Sequence, residues 1–221
     1  DLKKPSLTKM QAFYDKNYVA QNMALVLTGN FKTATVLPLI KADFSNWRMG
    51  KMPKLKLPKL QAINTKPVKL RITPIKLEIL GWQTVPYNHP DRIALDVCEN
   101  ILSNYNQTGL LDELADKNKL MFVGGNSLVY KRVGGYFLAA VPKPLIQSIK
   151  NADNKVNIAF TQLKNGNFSD DLLQAIKYQL SNDFQQKFEH LSSRGIAIAD
   201  AFNEGIKWKN YIKYPAKVNA I

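Results

Sequence analysis

The chain has 221 residues, 45% of them hydrophobic and 22% charged, with 11 Gly and 11 Pro. That composition is globular and excludes collagen-like, low-complexity and wholly disordered chains. Its net charge of +14 is uneven: residues 1–76 carry 15 Lys and Arg against 3 Asp, whereas residues 77–221 carry 16 against 14 Asp and Glu. The length suits one large domain or one domain with an appendage, and no run of 18 apolar residues offers a membrane span. The start, Asp-Leu-Lys-Lys-Pro, lacks an initiator Met and an apolar leader. The chain is therefore expected to be a piece of a longer protein.

In chain order, Ser6 to Tyr18 predicts a helix with Met10, Phe13, Tyr14 and Tyr18 on its apolar face. Met23 to Gly29 is a short apolar run closed by Gly and predicts a buried strand. Thr33 or Thr35 opens a second helix with Val36, Leu37, Ile40, Phe44 and Trp47 facing inward. This helix–strand–helix tract is too short to hide its own apolar faces and needs a surface to dock on. The basic excess centres on Arg48 to Lys59, where lysines alternate with Met, Leu and Pro. It reads as an extended tether, or as a contact strip for an acidic partner. No aromatic residues interleave those lysines and no helix-turn-helix or RNA-binding signature appears, so nucleic acid is not the expected partner.

Val68 to Trp82 predicts a strand broken near Pro74, and Asn88 to Asp91 is turn and helix-start chemistry. Ile93, Val97, Cys98, Ile101 and Leu102 mark an amphipathic helix, and Leu110, Leu111 and Leu114 a short second one. Leu120–Val123, Ser127–Tyr130 and Gly135–Val141 are strand-like, the first two arranged around Gly124-Gly125. Three helices are expected after them, over 146–163, 170–190 and 196–208, with Ser169 as an N-cap. Strands first and helices after predict an α+β fold, an antiparallel sheet with helices packed on one face.

Little catalytic chemistry is on offer. Cys98, the single cysteine, excludes an internal disulfide and reads as a small core residue. His89 sits in a turn with no motif naming a nucleophile beside it. Gln186-Lys187-Phe188-Glu189-His190 resembles an inverted His-x-x-Glu-His zinc motif, but an amide replaces the first ligand. Gly29 to Lys32 is not a phosphate loop, and Asp170-Asp171 suits a helix N-terminus without catalysis.

A larger pattern does carry a resemblance. Phe13 to Tyr18, Gln21 to Phe31, and Val36, Ile40, Phe44 and Trp47 are followed by Leu80 to Pro86, His89-Pro90-Asp91, Ala94-Leu95 and Ile101-Leu102-Ser103. Gly109 to Leu114 and Leu163 to Ser169 complete the series. In this order and spacing the segments resemble the pitrilysin/insulinase family of zinc metallopeptidases over nearly the whole chain. The resemblance implies a metallohydrolase-like two-layer domain of the pitrilysin/mitochondrial processing peptidase type. Residues 1–50 correspond to the helix–strand–helix tail of a preceding catalytic domain and 51–66 to a linker. Residues 67–221 correspond to a non-catalytic second domain, truncated at its C-terminus. The His-x-x-Glu-His motif and its zinc belong to the first domain, so this fragment is expected to hold no cofactor and to be inactive alone.

The family's Leu-Arg-x-x-x-x-Leu-Gly-Tyr stretch, whose Arg and Tyr hold the substrate carbonyl, corresponds here to Leu114 through Phe122. Ala115 stands for the Arg and Phe122 for the Tyr, and neither can donate a hydrogen bond to an oxyanion. The resemblance instead gives Phe122, Val123, Gly124 and Gly125 a substrate-anchoring role by backbone pairing with an extended peptide; the plainer alternative for the glycine pair is a bulge between strands. The implied partners are a peptide substrate and the rest of the same protease chain or a homologous subunit. The expected function is that of a non-catalytic domain helping to form a peptide-binding chamber. The alternative is a pseudo-peptidase module that binds proteins and cuts nothing. The family's habits and the low cysteine count lean towards a periplasmic or secreted bacterial setting.

Overall fold

The computed structural model describes residues 4–54 and 75–221. The chain divides into two units, residues 1–68 and 69–221.

In the first unit α1 (Leu7–Asn17) is capped by Ser6, whose hydroxyl accepts from the Lys9 N–H. A single 3₁₀ turn (Ala20–Asn22) and α2 (Thr33–Phe44) follow. Neither α-helix has a buried residue, and Val19 is the buried hydrophobic of the tract. Leu25, Leu27, Leu37, Phe44 and Trp47 are exposed, so five of the side chains expected to face inward or fill a strand lie open. The strand expected over 23–29 does not form. The described part of this unit has no strand to pair with it, and a strand alone cannot satisfy its backbone groups. Arg48 closes the unit locally. Its guanidinium pairs with Asp15, donates to the Tyr14 carbonyl at 3.2 Å, and stands 5.4 Å above the Tyr14 ring. The Arg48 carbonyl accepts from the Ala20 N–H, and the Gly50 N–H donates to Gln21 Oε1 at 2.7 Å. The basic tract therefore begins as a clasp; its residues 55–59, the rest of the linker to 66 and residues 68–74 of the expected strand lie outside the described residues.

The second unit holds a three-stranded antiparallel sheet of order β1-β3-β2, from β1 (Glu78–Thr84), β2 (Phe122–Val129) and β3 (Gly134–Val141). Alternation in β3 sets the two faces: Tyr136, Leu138 and Ala140 point into the core and Phe137 points out. Register puts Leu80 and Gly125 beside Leu138, and Trp82 and Ser127 beside Tyr136.

Helices α3 (Arg92–Leu102), α4 (Asp112–Asp116) and α5 (Ile149–Lys164) cover that inner face. On α5, Ala152, Val156 and Ala159 recur at spacings of four and three and are buried. They share one helical face and pack in the same cluster as Leu138 and Ala140 of β3. Asp112 is buried and accepts from Ser103 Oγ, the Asn104 N–H and the Gly109 N–H at 2.6–3.0 Å, which ties the α3–α4 loop.

Behind α3 lie α6 (Asp170–Gln186), capped by Ser169, and α9 (Tyr214–Asn219), in a second cluster of Val97, Ile101, Ile176 and Val218. A third cluster joins Phe184, Ala197, Ala201 and Tyr211 from α6, α7 (Leu191–Asn203) and α8 (Trp208–Tyr211). The outer face of the sheet carries Ile79, Phe122, Leu128 and Phe137, all exposed. The expected α+β architecture with helices on one face is thus present.

Several boundaries differ from expectation: β1 starts only at Glu78, leaving residues 75–77 of the expected strand outside it. The helix expected over 170–190 stops at Gln186, and His190 is the N-cap of α7. The Arg194 side chain turns back to donate twice to the Phe188 carbonyl, while Phe188 packs on Phe184 and Trp208, so the chain bends sharply at 187–190. The last helix also starts earlier than 196 and is followed by α8 and α9.

Candidate functional site

β2 is an edge strand: among the described residues it pairs with β3 alone. An edge strand keeps a row of N–H and C=O groups free for another extended chain. The four residues singled out in the sequence open this strand. Phe122 points outward and is 52% exposed, while Val123 points into the core. Gly124 faces outward and Gly125 inward. The pairing with β3 runs from Phe122–Val141 to Val129–Gly134 in unbroken register, so the glycine pair makes no bulge. The two glycines have separate steric causes. A Cβ on Gly124 would come within 3.3 Å of the Phe122 ring, which lies along the outer face. A Cβ on Gly125 would stand 2.0 Å from the Tyr136 hydroxyl.

Beside the middle of β2, on the helix-bearing side, is a cleft of about 370 Å³. Glu99, Asn104, Gly125, Ser127 and Tyr136 help to line it. Tyr136 is 6% exposed, and its hydroxyl has no hydrogen-bond partner among the described residues; the same holds for Ser127 Oγ and Glu99 Oε1. Burial, followed by the charges of Glu99 and Asp112, pushes the Tyr136 phenol up to about 12. Glu99 Oε2 is held at 3.0 Å by Arg92, which is itself buried and also pairs with Asp96. Sequence reading gave no sign of this cleft. Glu99, Ser127 and Tyr136 belong to three elements and form no local motif.

The other sequence candidates stay apart. Ala115 packs against the core and presents no donor. Cys98 is half-buried, and burial with the neighbouring Glu99 raises its thiol pKa, which keeps it protonated and weakly nucleophilic. His89 accepts the Asp91 N–H on Nδ1 in an exposed turn. Gln186 ends α6 while His190 caps α7, so the zinc-motif lookalike is split between two helices. That arrangement does not present its residues on one helical face and does not fit a zinc ion.

Comparison with known proteins agrees with the fold. A family model described as the peptidase M16 inactive domain matches residues 5–180. Zinc protease PqqE of Helicobacter pylori is 22% identical over 208 residues, which span 90% of this chain and 46% of that protein. The chain thus spans about half the length of this curated relative. A solved protease structure from Helicobacter pylori superposes with a TM-score of 0.85 at 18% identity, covering 100% of this chain and 54% of the other. A peptidase M16 inactive domain from Pseudomonas fluorescens gives a TM-score of 0.75 at 14% identity, over 98% of this chain and 52% of that one. At these identities the two structures attest the fold alone. The family match spans most of the chain and bears out the pitrilysin/insulinase resemblance: the chain belongs to the M16 peptidase inactive-domain family.

Proposed function

We propose that this non-catalytic domain helps to form the peptide-binding chamber of a zinc metalloprotease, and that it anchors extended peptides along the free edge of β2. The observation that carries the reading is the edge position of β2 together with an unbroken register through Gly124 and Gly125. A peptide laid beside it pairs backbone with backbone, so affinity comes from main-chain hydrogen bonds and tolerates varied sequence. Phe122 offers an apolar ring at the start of that edge and nothing that can move a proton. Zinc and the hydrolytic step belong, in this reading, to another domain of the whole protein, and peptide is the partner that this domain contributes to holding.

The test is amide hydrogen exchange with and without an extended peptide. Amides of residues 122–129 should gain protection, and a copy of the peptide N-methylated at alternate positions should give none. Equal protection by both peptides, or protection elsewhere but not on β2, would overturn the anchoring role.

A further inference from the structure

We infer that the cleft beside β2 is a side-chain subsite for a basic residue, lysine or arginine, of the peptide anchored on that strand. The inference rests on the edge-strand reading and adds to it a preference in sequence. Side chains alternate between the two faces of a sheet, and on β2 the inward positions include Gly125 and Ser127, both of which line the cleft. A strand added to the free edge therefore turns the residue opposite these positions toward the helix-bearing side, where the cleft stands. Gly125 sends no side chain into that space. Three polar atoms of the cleft-lining residues have no hydrogen-bond partner among the described residues: the Tyr136 hydroxyl, Ser127 Oγ directly across the ladder from it, and Glu99 Oε1.

Buried polar atoms without partners are costly, at roughly 1–3 kcal/mol each, and a ligand that supplies donors recovers that cost. A carboxylate oxygen accepts only, and the two hydroxyls can accept as well, so the set is matched by a group rich in N–H donors. The local charge selects the sign. Arg92 is shared between Asp96 and Glu99, and the charge of Asp112 also acts on Tyr136, which leaves an excess of negative charge around the cleft. An ammonium or guanidinium satisfies the donors and the charge together. Geometry favours a side chain over the peptide's terminal amine, because a side chain opposite Gly125 or Ser127 leaves the sheet plane on the cleft's face, whereas a backbone amine lies in that plane.

Binding of fluorescent peptides to the full chain tests this. One peptide, N-acetylated and C-amidated, carries a lysine at successive positions; a second carries norleucine in its place, and a third has a free N-terminus with no lysine. At one register the lysine peptide should bind roughly tenfold or more tightly than its norleucine copy. Glu99→Gln should remove that advantage, read as the ratio of lysine-peptide to norleucine-peptide affinity on the same variant. Tyr136→Phe, which keeps the ring, should reduce the advantage in part. Melting curves of both variants should remain cooperative, and the comparison of peptides on the unaltered protein needs no variant at all. Equal affinity for lysine and norleucine peptides at every register, with β2 amides protected by both, overturns the subsite and leaves the edge anchor standing. No protection of β2 by any peptide overturns both. Binding that depends on the free N-terminus and not on lysine assigns the cleft to a chain end and overturns the side-chain inference.

Discussion

The ring of Tyr136 occupies the space that a side chain at position 125 would need: a Cβ there would lie 2.0 Å from the hydroxyl and 2.4 Å from the carbon bearing it. Tyr136 is itself buried and packs beside Trp82 on the neighbouring strand, the ring centres 6.0 Å apart, so moving it disturbs that contact. Gly125→Ala is therefore expected to lower stability by about 1–3 kcal/mol, the range for overpacking. Tyr136→Ala should cost stability alone and, combined with Gly125→Ala, cost less than the two single losses together. Denaturant melts of the four proteins check this, and strict additivity would show that the contact is not the cause.

Arg92 supplies a second expectation. It is 4% exposed and holds Asp96 and Glu99 from the first turn of α3, while the Tyr214 hydroxyl of α9 donates to Asp96 at 3.2 Å. Burial opposes the guanidinium's charge, but the two carboxylates outweigh it and raise its pKa. Arg92→Met removes the cation and leaves two carboxylates in a poorly solvated place, for a loss of about 3–5 kcal/mol. Tyr214→Phe leaves the ion pairs intact and should cost about 1 kcal/mol. Thermal melts should rank the two in that order.

Alkaline pH provides a third. Burial pushes Tyr87 and Tyr136 up to about 12, and Tyr214 is raised as well. In the unfolded chain these phenols ionise near 10. Since the folded state keeps its protons longer, their contribution is fully present below pH 10 and is lost as pH rises from about 10 to 12. Each of the first two should withdraw on the order of 2 kcal/mol over that window. The midpoint of urea unfolding should therefore fall steeply above pH 10, and Tyr136→Phe should make the fall shallower.

The sequence made the second unit legible where pattern and packing coincide. Val97, Ile101 and Leu102 on α3, and Tyr136, Leu138 and Ala140 on β3, repeat at the helix and strand periods and are buried. The Ser169 cap was readable because its effect is local. Met23 to Gly29 was misread because an apolar run specifies a strand only when a partner strand is at hand. The break at 187–190 depends on Arg194 reaching back to Phe188, a contact without a sequence signature, and on Phe188 meeting Trp208 twenty residues on, outside any local window. The candidate edge was found through resemblance, and its register was not visible before pairing. The cleft escaped because Glu99, Ser127 and Tyr136 meet only when α3 crosses behind β2.

The last expectation concerns Phe122. Its ring is half-exposed on the outer face and overlies Gly124, within 3.3 Å of where a Cβ would be. It has no group that can donate or accept a proton, so in a whole protease its removal should act through binding. Phe122→Ala should raise KM for long peptides, which reach both the reacting centre and the β2 edge, and leave kcat nearly unchanged. Short peptides that cannot span the two places should be cut as before. The size of the effect follows from area: an exposed ring that a peptide half covers buries on the order of 60–80 Å², or roughly 1.5–2 kcal/mol at 25 cal/mol per Å². That corresponds to a KM increase of about tenfold to thirtyfold. Steady-state kinetics on a matched pair of long and short substrates decides the matter. An equal loss on both lengths, or a fall in kcat with KM unchanged, would place Phe122 at the chemistry and not at an anchor.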